Sequence, residues 1–298
     1  MRIAVTIGGE AIGSPVPPAE AVEEACRAEA EGFASAWSVH FSRGTDALSV
    51  LAAAGVRTSR IDLGVGVIPT YPRHPLALAQ QAMTVQALCG GRLTLGVGVS
   101  HRPVIEDLHG LSYTSPAEHL RDYLSVLVPL VRTGKVTHRG RYYRVDGAVH
   151  VPDTRPVPVL VGALGPRMVE VAGELSDGVV TWLAGPRSLT EVIVPRLPAT
   201  ARVVAAIPVC VSVDEAGARA RAETVFARYG QLENYQRQFE REGLTSVGEF
   251  VVAGDEDTVA ARLRSYSDAG TTELWAVPFG DDEDVRRTRA ALAAWGGT

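Results

Sequence analysis

The sequence predicts an α/β chain folded as a closed (β/α)8 barrel. Three observations carry that expectation. Short apolar runs alternate with amphipathic stretches from end to end, and such βαβα alternation implies a parallel sheet with both faces covered. Eight such runs can be counted. The runs are nearly continuous in Val, Ile, Leu and Ala rather than alternating with polar residues, as strands buried on both faces should be. With 298 residues, the chain fits one barrel domain spanning 1–298.

The elements follow in order. Residues 2–7 are the first strand, followed by Gly8, Gly9 and Gly13 in a turn. Pro17 and Pro18 open a helix to about Glu31, since proline is tolerated in a first turn. Gly32 closes it, and 34–39 is the second strand. Thr45 or Asp46 can cap a helix through about Val56. Residues 60–68 form the third strand, 75–88 an uncharged helix stopped by Gly90 and Gly91, and 92–97 the fourth strand. Later strands are expected at 157–161, 178–182, 203–209 and 272–277. Helices are expected near 116–132, 166–174, 186–196, 214–229, 255–269 and 282–295. Two segments interrupt the alternation. Residues 135–152 read as a small hairpin turning at Gly140, inserted before strand five. Residues 230–250 form a polar, aromatic-bearing excursion before the last helix–strand unit. Both are placed to cover the barrel mouth.

Composition narrows the function. The chain carries 29 Lys+Arg against 34 Asp+Glu, a formal charge of −5. That leaves no basic surplus for neutralising phosphates, so nucleic acid is not an expected partner. No apolar run reaches the length of a membrane span, and the N-terminus lacks the features of a secretory signal. Cys26, Cys89 and Cys210 are odd in number and widely spaced. They predict neither a disulfide framework nor a metal site, and suit a reducing, cytoplasmic setting.

Barrel enzymes build their sites at the C-terminal ends of the strands. The chemistry-bearing residues there are His40 and Phe41 after strand two, Gly98-Val99-Ser100-His101 after strand four, Gly162-Ala163-Leu164-Gly165-Pro166-Arg167 after strand five, and Trp182 after strand six. The strand-five turn opens a helix whose free N–H groups, with Arg167, make either an anion site or an ordinary strand-to-helix turn. His40 and His101 suit proton transfer near neutral pH or a structural hydrogen bond at the rim. His74 reads as a loop residue. His109, His119, His138 and His150 read as structural or surface groups.

Residues 63–81 (LGVGVIPTYPRHPLALAQQ) and 90–98 (GGRLTLGVG) resemble the bacterial luciferase-like monooxygenase superfamily. Within it the chain is most similar to the oxidoreductases that use the deazaflavin coenzyme F420. Leu111-Ser112-Tyr113, Gly165-Pro166-Arg167-Met168 and the run 172–178 (AGELSDG) extend the match over nearly the whole chain.

The resemblance implies an F420-dependent oxidoreductase that moves a hydride between the cofactor and a small organic substrate. The alternatives are an FMN-dependent monooxygenase of the same superfamily, with a reductase partner, and a non-redox barrel lyase or isomerase. It implies a non-prolyl cis peptide between Gly66 and Val67, forming a bulge behind the ring. It places Gly98, Val99 and Ser100 along the ring edge and the cofactor phosphate on Gly162 to Arg167. His40 matches a position that contacts ring and substrate, as proton donor or acceptor. His101 stands where the glucose-6-phosphate dehydrogenases of this group carry an acidic residue, and Val39 where relatives often carry an acid or amide. The neighbourhood of Trp182 is apolar where those dehydrogenases place a phosphate-binding lysine. Phe41 and Trp182 are therefore expected to line an apolar pocket for an uncharged substrate. A homodimer is expected from the resemblance alone.

Overall fold

A computed structural model describes residues 1–296 of the chain. Eight parallel strands close on themselves: β1 (Arg2–Ile7), β2 (Ser35–Ser38), β3 (Asp62–Pro69), β4 (Leu93–Gly98), β7 (Val159–Gly162), β8 (Gly178–Trp182), β9 (Arg202–Val211) and β11 (Glu273–Pro278). The β8–β9 pairing completes the ring. Between β4 and β7 lies the antiparallel hairpin of β5 (Lys135–Arg139) and β6 (Arg144–Ala148). Outside the barrel run α1 (Pro18–Ala30), α2 (Ala47–Arg57), α3 (Pro75–Leu88), α4 (Pro116–Thr133), α5 (Pro166–Leu175), a single turn α6 (Pro186–Ser188), α7 (Glu215–Val225), α8 (Glu233–Glu242), the short α9 (Val247–Phe250), α10 (Glu256–Asp268) and α11 (Asp282–Gly296). The eight expected strands are all present, and the expected ends move by one or two residues. The last two residues of the expected domain lie outside the described residues.

Local chemistry explains the boundaries. Asp46, rather than Thr45, caps α2 by accepting from the Ser49 amide at 2.9 Å. His74 is a cap rather than a plain loop residue, since its Nδ1 accepts from the Leu76 amide at the start of α3. The stretch expected as one helix over 186–196 is three short helical pieces. Pro195 in it has no amide to donate, so a regular ladder cannot run through. The expected helix 214–229 ends at Val225 and continues as a tighter turn over Ala227–Gln231. The excursion contains α8 and α9 and ends in a short strand, β10 (Val252–Gly254), which the sequence reading missed. β10 adds to the upper part of β9, at Val209–Val211.

Two apolar layers result. The larger packs the outward faces of the strands under the helices. The smaller fills the barrel with Ala4, Trp37, Leu160, Val180, Val204, Ala206, Trp275 and Val277. The filling is lopsided. Trp37 and Trp275 stack with ring centres 5.2 Å apart on the β2 and β11 side. The adjoining strand β3 makes room with glycine: a Cβ on Gly64 would lie 2.3 Å from Trp37, and one on Gly66 would lie 2.5 Å from Trp275. At the lower end Glu273 is buried, accepting from Ser35 Oγ at 2.6 Å, Trp37 Nε1 at 2.8 Å and Arg202 Nη2 at 3.1 Å. Arg202 in turn donates to Thr94 Oγ1 at 2.9 Å. A buried charge is tolerated when every oxygen is satisfied in this way. The bottom of the barrel is therefore sealed, and only the C-terminal rim is open to chemistry.

The β5–β6 hairpin does not cover that rim. Asp122 of α4 accepts from the amides of Tyr142 and Tyr143 and pairs with His138, while Tyr143 meets His74 and His119. The hairpin is clasped to α3 and α4 on the outer wall. Among the described residues no helix is long and apolar enough to cross a membrane.

Candidate active site

At the top of β3 the Gly66–Val67 peptide is cis. The pairing of β3 with β4 is regular up to Val65 and resumes one register later at Ile68, so residues 66–67 bulge from the ladder. Val67 then stands over the bare backbone of the next two strands. A Cβ on Gly98 would lie 2.8 Å from Val67 Cγ2, and one on Gly162 would lie 3.2 Å from Val67 Cγ1. Trp275 supports the bulge from below, beside Gly66. Side chains are thus cleared from one wall of the mouth, and the wall is apolar: Val67 is half-buried, Val99 and Ala163 are buried. The chain after β4 turns at Ser100, whose φ of 60° is a left-handed conformation that L residues seldom adopt. Its carbonyl accepts from the Tyr113 hydroxyl at 3.2 Å.

The next rim segment opens α5. Gly165 is the N-cap residue, and no side chain caps this turn. Pro166 contributes no amide. A side chain at Gly165 would meet only open space. Arg167 is exposed beside this end and has no carboxylate partner among the described residues. Amides, the positive end of the helix dipole and an unpaired guanidinium suit an anion together.

His40 faces the site from β2. Its Nδ1 accepts from the Ala47 amide at 3.4 Å, so the proton of the neutral ring sits on Nε2. Asp46 Oδ2 lies 3.9 Å from Nδ1, but Arg73 holds the same oxygen at 2.5 Å. Burial lowers the His40 pKa, the Arg73 charge lowers it further, and Asp46 only partly opposes them. His40 is therefore a neutral hydrogen-bond donor. His101 is likewise pushed down, by burial and then by Arg228.

The remaining side of the rim is aromatic. Trp182, at the end of β8, lies 5.4 Å from Tyr229 and 6.0 Å from Phe226, ring centre to ring centre. Tyr229 packs edge-on against Tyr235 of α8 at 5.0 Å, and Tyr235 reaches His101 at 6.0 Å. α8 is held down by Glu242, which accepts from the Ser188 amide at 2.8 Å. The excursion therefore covers part of the mouth, as expected. The Arg228 guanidinium lies 4.6 Å from the Phe41 ring and 4.8 Å from the Tyr229 ring.

The structure brings His40, Phe41, Val67, Gly98–His101, Gly162–Arg167 and Trp182 to one rim. Arg228, Tyr229 and Tyr235 also stand there, and the sequence reading did not find them. A continuous helix over 214–229 hid the turn that carries Arg228 to the rim; the packed apolar pair Val225-Phe226 was the available signal. The four histidines read as structural are built into the scaffold where contacts are seen: His109 meets Ser42, His119 meets Thr70, and His138 meets Asp122. Two surface grooves lie elsewhere, about 570 Å3 among α7, α8 and α9 and about 340 Å3 between α2 and α3. Neither is lined by a histidine or a cation, so the rim remains the site with chemistry.

A family model for luciferase-like monooxygenases matches residues 1–273. The chain belongs to the luciferase-like monooxygenase family. Curated relatives include 5,10-methylenetetrahydromethanopterin reductase of Methanopyrus kandleri, 26% identical over 310 residues and covering 86% of this chain and 88% of the relative. F420-dependent glucose-6-phosphate dehydrogenase of Nakamurella multipartita is 31% identical over 207 residues, covering 65% and 61%. Among solved structures, an F420-dependent secondary alcohol dehydrogenase in complex with an F420–acetone adduct superposes with a TM-score of 0.79 over 98% of this chain and 97% of that one, at 19% identity. That likeness shares the barrel fold. The chain is thus an enzyme of the luciferase-like class.

Proposed function

We propose that this luciferase-like enzyme is an F420-dependent oxidoreductase acting on a small organic substrate. The carrying observation is the wall under Val67: a bulge over strand ends cleared to glycine, continuous with an uncapped helix start and a free Arg167. That wall fits a flat ring at one end and an anionic group at the other. The F420-dependent glucose-6-phosphate dehydrogenase of Nakamurella multipartita supports the choice of the deazaflavin over FMN. Gly98, Val99 and Ser100 border the ring, and Gly162 to Arg167 take the phosphate. Bound there, the deazaflavin supplies a ring position that accepts or gives a hydride.

The protein's own residues position and polarise. Val67 shields one face of the ring pocket, leaving the substrate to approach from the side of His40. His40 Nε2–H donates to the substrate oxygen and orients it, and its neutrality means that no charge must be desolvated on binding. Trp182, Phe41 and the α8 cover exclude water from the reacting atoms. His101 is the second proton-bearing group at the rim.

The test is an equilibrium titration of the purified protein with F420 and, separately, with FMN, followed by fluorescence. Micromolar or tighter F420 binding, with FMN at least tenfold weaker, is the expected result. A preference for FMN would assign the oxygen-dependent monooxygenase chemistry instead. Binding of neither would remove the redox reading and leave a barrel lyase or isomerase working through His40 and His101. Arg167→Ala should weaken F420 binding about tenfold, the loss expected for one charge-assisted contact; unchanged affinity would withdraw its phosphate role.

A further inference from the structure

We propose that Arg228 is the receptor for an anionic group, a carboxylate or a phosphate, on the substrate. The proposal rests on the barrel mouth being the substrate site, and it replaces the uncharged substrate expected from the apolar neighbourhood of Trp182. The argument begins with position. Arg228 lies on the turn after α7, yet its guanidinium contacts Phe41 from the β2 rim and Tyr229, which packs on Trp182 from the β8 rim. It is also close enough to His101 on the β4 rim to lower that histidine's pKa. Loops from three separated strands thus converge on one cation.

The second point is charge. Arg228 makes no ion pair among the described residues. Two carboxylates near the mouth are paired elsewhere, Asp46 with Arg73 at 2.5 Å and Glu106 with Arg102 at 2.7 Å, while Glu10 gives one oxygen to the Thr45 amide at 2.6 Å and keeps Oε2 buried without a partner. His40 and His101 are held neutral. Arg228 therefore stands at the rim without a carboxylate partner among the described residues.

The third point is preorganisation. Two aromatic rings lie within 5 Å of the guanidinium, and Nη2 donates to the Tyr229 hydroxyl at 2.8 Å. Arg228 is exposed, and these contacts narrow its rotamers while Nη1 and Nε have no partner among the described residues. A planar fork of donors held in this way suits the two oxygens of a carboxylate or phosphate. The substrate's apolar part then lies against Phe41 and Trp182, with its reacting oxygen toward His40.

The experiment measures binding of benzoate, phenyl phosphate and benzamide to the protein by isothermal titration. Benzamide is the neutral isostere of benzoate. The expected result is that benzoate or phenyl phosphate binds wild type at least tenfold more tightly than benzamide, with the preference shrinking as salt rises. Whichever of the two anions binds more tightly identifies the group. Arg228→Met, which keeps the alkyl packing, should erase the preference, and Arg228→Lys should retain part of it. Circular dichroism checks the fold; if the Met variant does not fold, the Lys variant and the wild-type salt dependence decide. Equal binding of benzoate and benzamide by wild type, or an unchanged preference in Arg228→Met, overturns the proposal. So does a loss of F420 affinity in Arg228→Met without any change toward benzoate, which would assign the arginine to an anionic part of the cofactor. Failure of wild type to bind F420 while it keeps the anion preference would sink the redox reading and leave the receptor standing.

Discussion

Val67 leans on Gly98, with its Cγ2 only 2.8 Å from where a Cβ on that glycine would be. The contact ties the bulge on β3 to the tip of β4. Gly98→Ala must therefore displace Val67 or the strand end. The overpacking should cost about 1–3 kcal/mol of stability, while F420 affinity should fall at least tenfold because the displaced atoms form the ring wall. Chemical denaturation and the cofactor titration measure the two effects separately. Unchanged affinity in a folded variant would remove Val67 from the ring site.

His40 offers a titration that needs no substrate. The Arg73 charge helps to hold its pKa below 6.5, while Asp46 pulls the other way but is engaged by Arg73. Arg73→Met removes the first influence and releases the second. The His40 ring resonance, followed by NMR against pH, should then titrate closer to 6.5 or above it. Substrate hydrogen bonding by the neutral ring should be lost at correspondingly higher pH. A titration unmoved by the substitution would mean that burial alone sets the value.

His119 predicts a pH-dependent stability. Its ring stacks on Tyr71 at 3.8 Å, its Nε2 lies 3.1 Å from Thr70 Oγ1, and burial lowers its pKa from 6.5 to about 4. Below 6.5 the unfolded chain binds a proton at this ring that the folded chain refuses until about pH 4. Stability therefore falls as pH drops through that window and levels off beneath it. The full loss from this residue is roughly 3 kcal/mol. Urea melts of wild type and His119→Gln across the window should differ by that pH dependence. Parallel curves would show that His119 is not the titrating group.

Glu273 tests the seal at the lower end. Glu273→Gln removes the charge opposite Arg202 and weakens the bonds from Ser35 and Trp37. A fully buried pair broken on one side costs about 3–5 kcal/mol; partial exposure of Arg202 reduces this to about 2–3 kcal/mol. The thermal midpoint should fall by several degrees with cofactor affinity retained. A loss of F420 binding without loss of stability would contradict a purely structural role.

The barrel was legible because most strands are continuous apolar runs and most helices carry their own start or stop. Pro18, Asp46 and Gly32 are local signals, and local signals survive folding. The rim positions were legible for the same reason, since a strand end fixes where the following residues lie. The Gly66–Val67 bulge came only from family resemblance; nothing in the composition of that run marks it. Arg228 was not legible. Its place depends on α7 ending at Val225, and that ending is set by packing of Phe226 against Phe279 and Trp182, residues about 53 and 44 positions away. The hairpin was found, but its docking on α4 through Asp122 is a tertiary choice that no local pattern announces.

β9 is paired with β8 only as far as Ala206 and with β10 from Val209 onward. Above that fork β8 and β9 no longer share a backbone ladder, and the gap beside Trp182 is a seam filled by Trp182, Phe226, Tyr229 and Tyr235. Ladders resist change, because a register slip turns every side chain around. A seam of interlocking rings can be recut one residue at a time. The glycine-cleared wall under Val67 stands on β3 and β4, which are not the strands that border this seam, so substitutions in the seam can reshape the mouth without touching Val67 or Gly98.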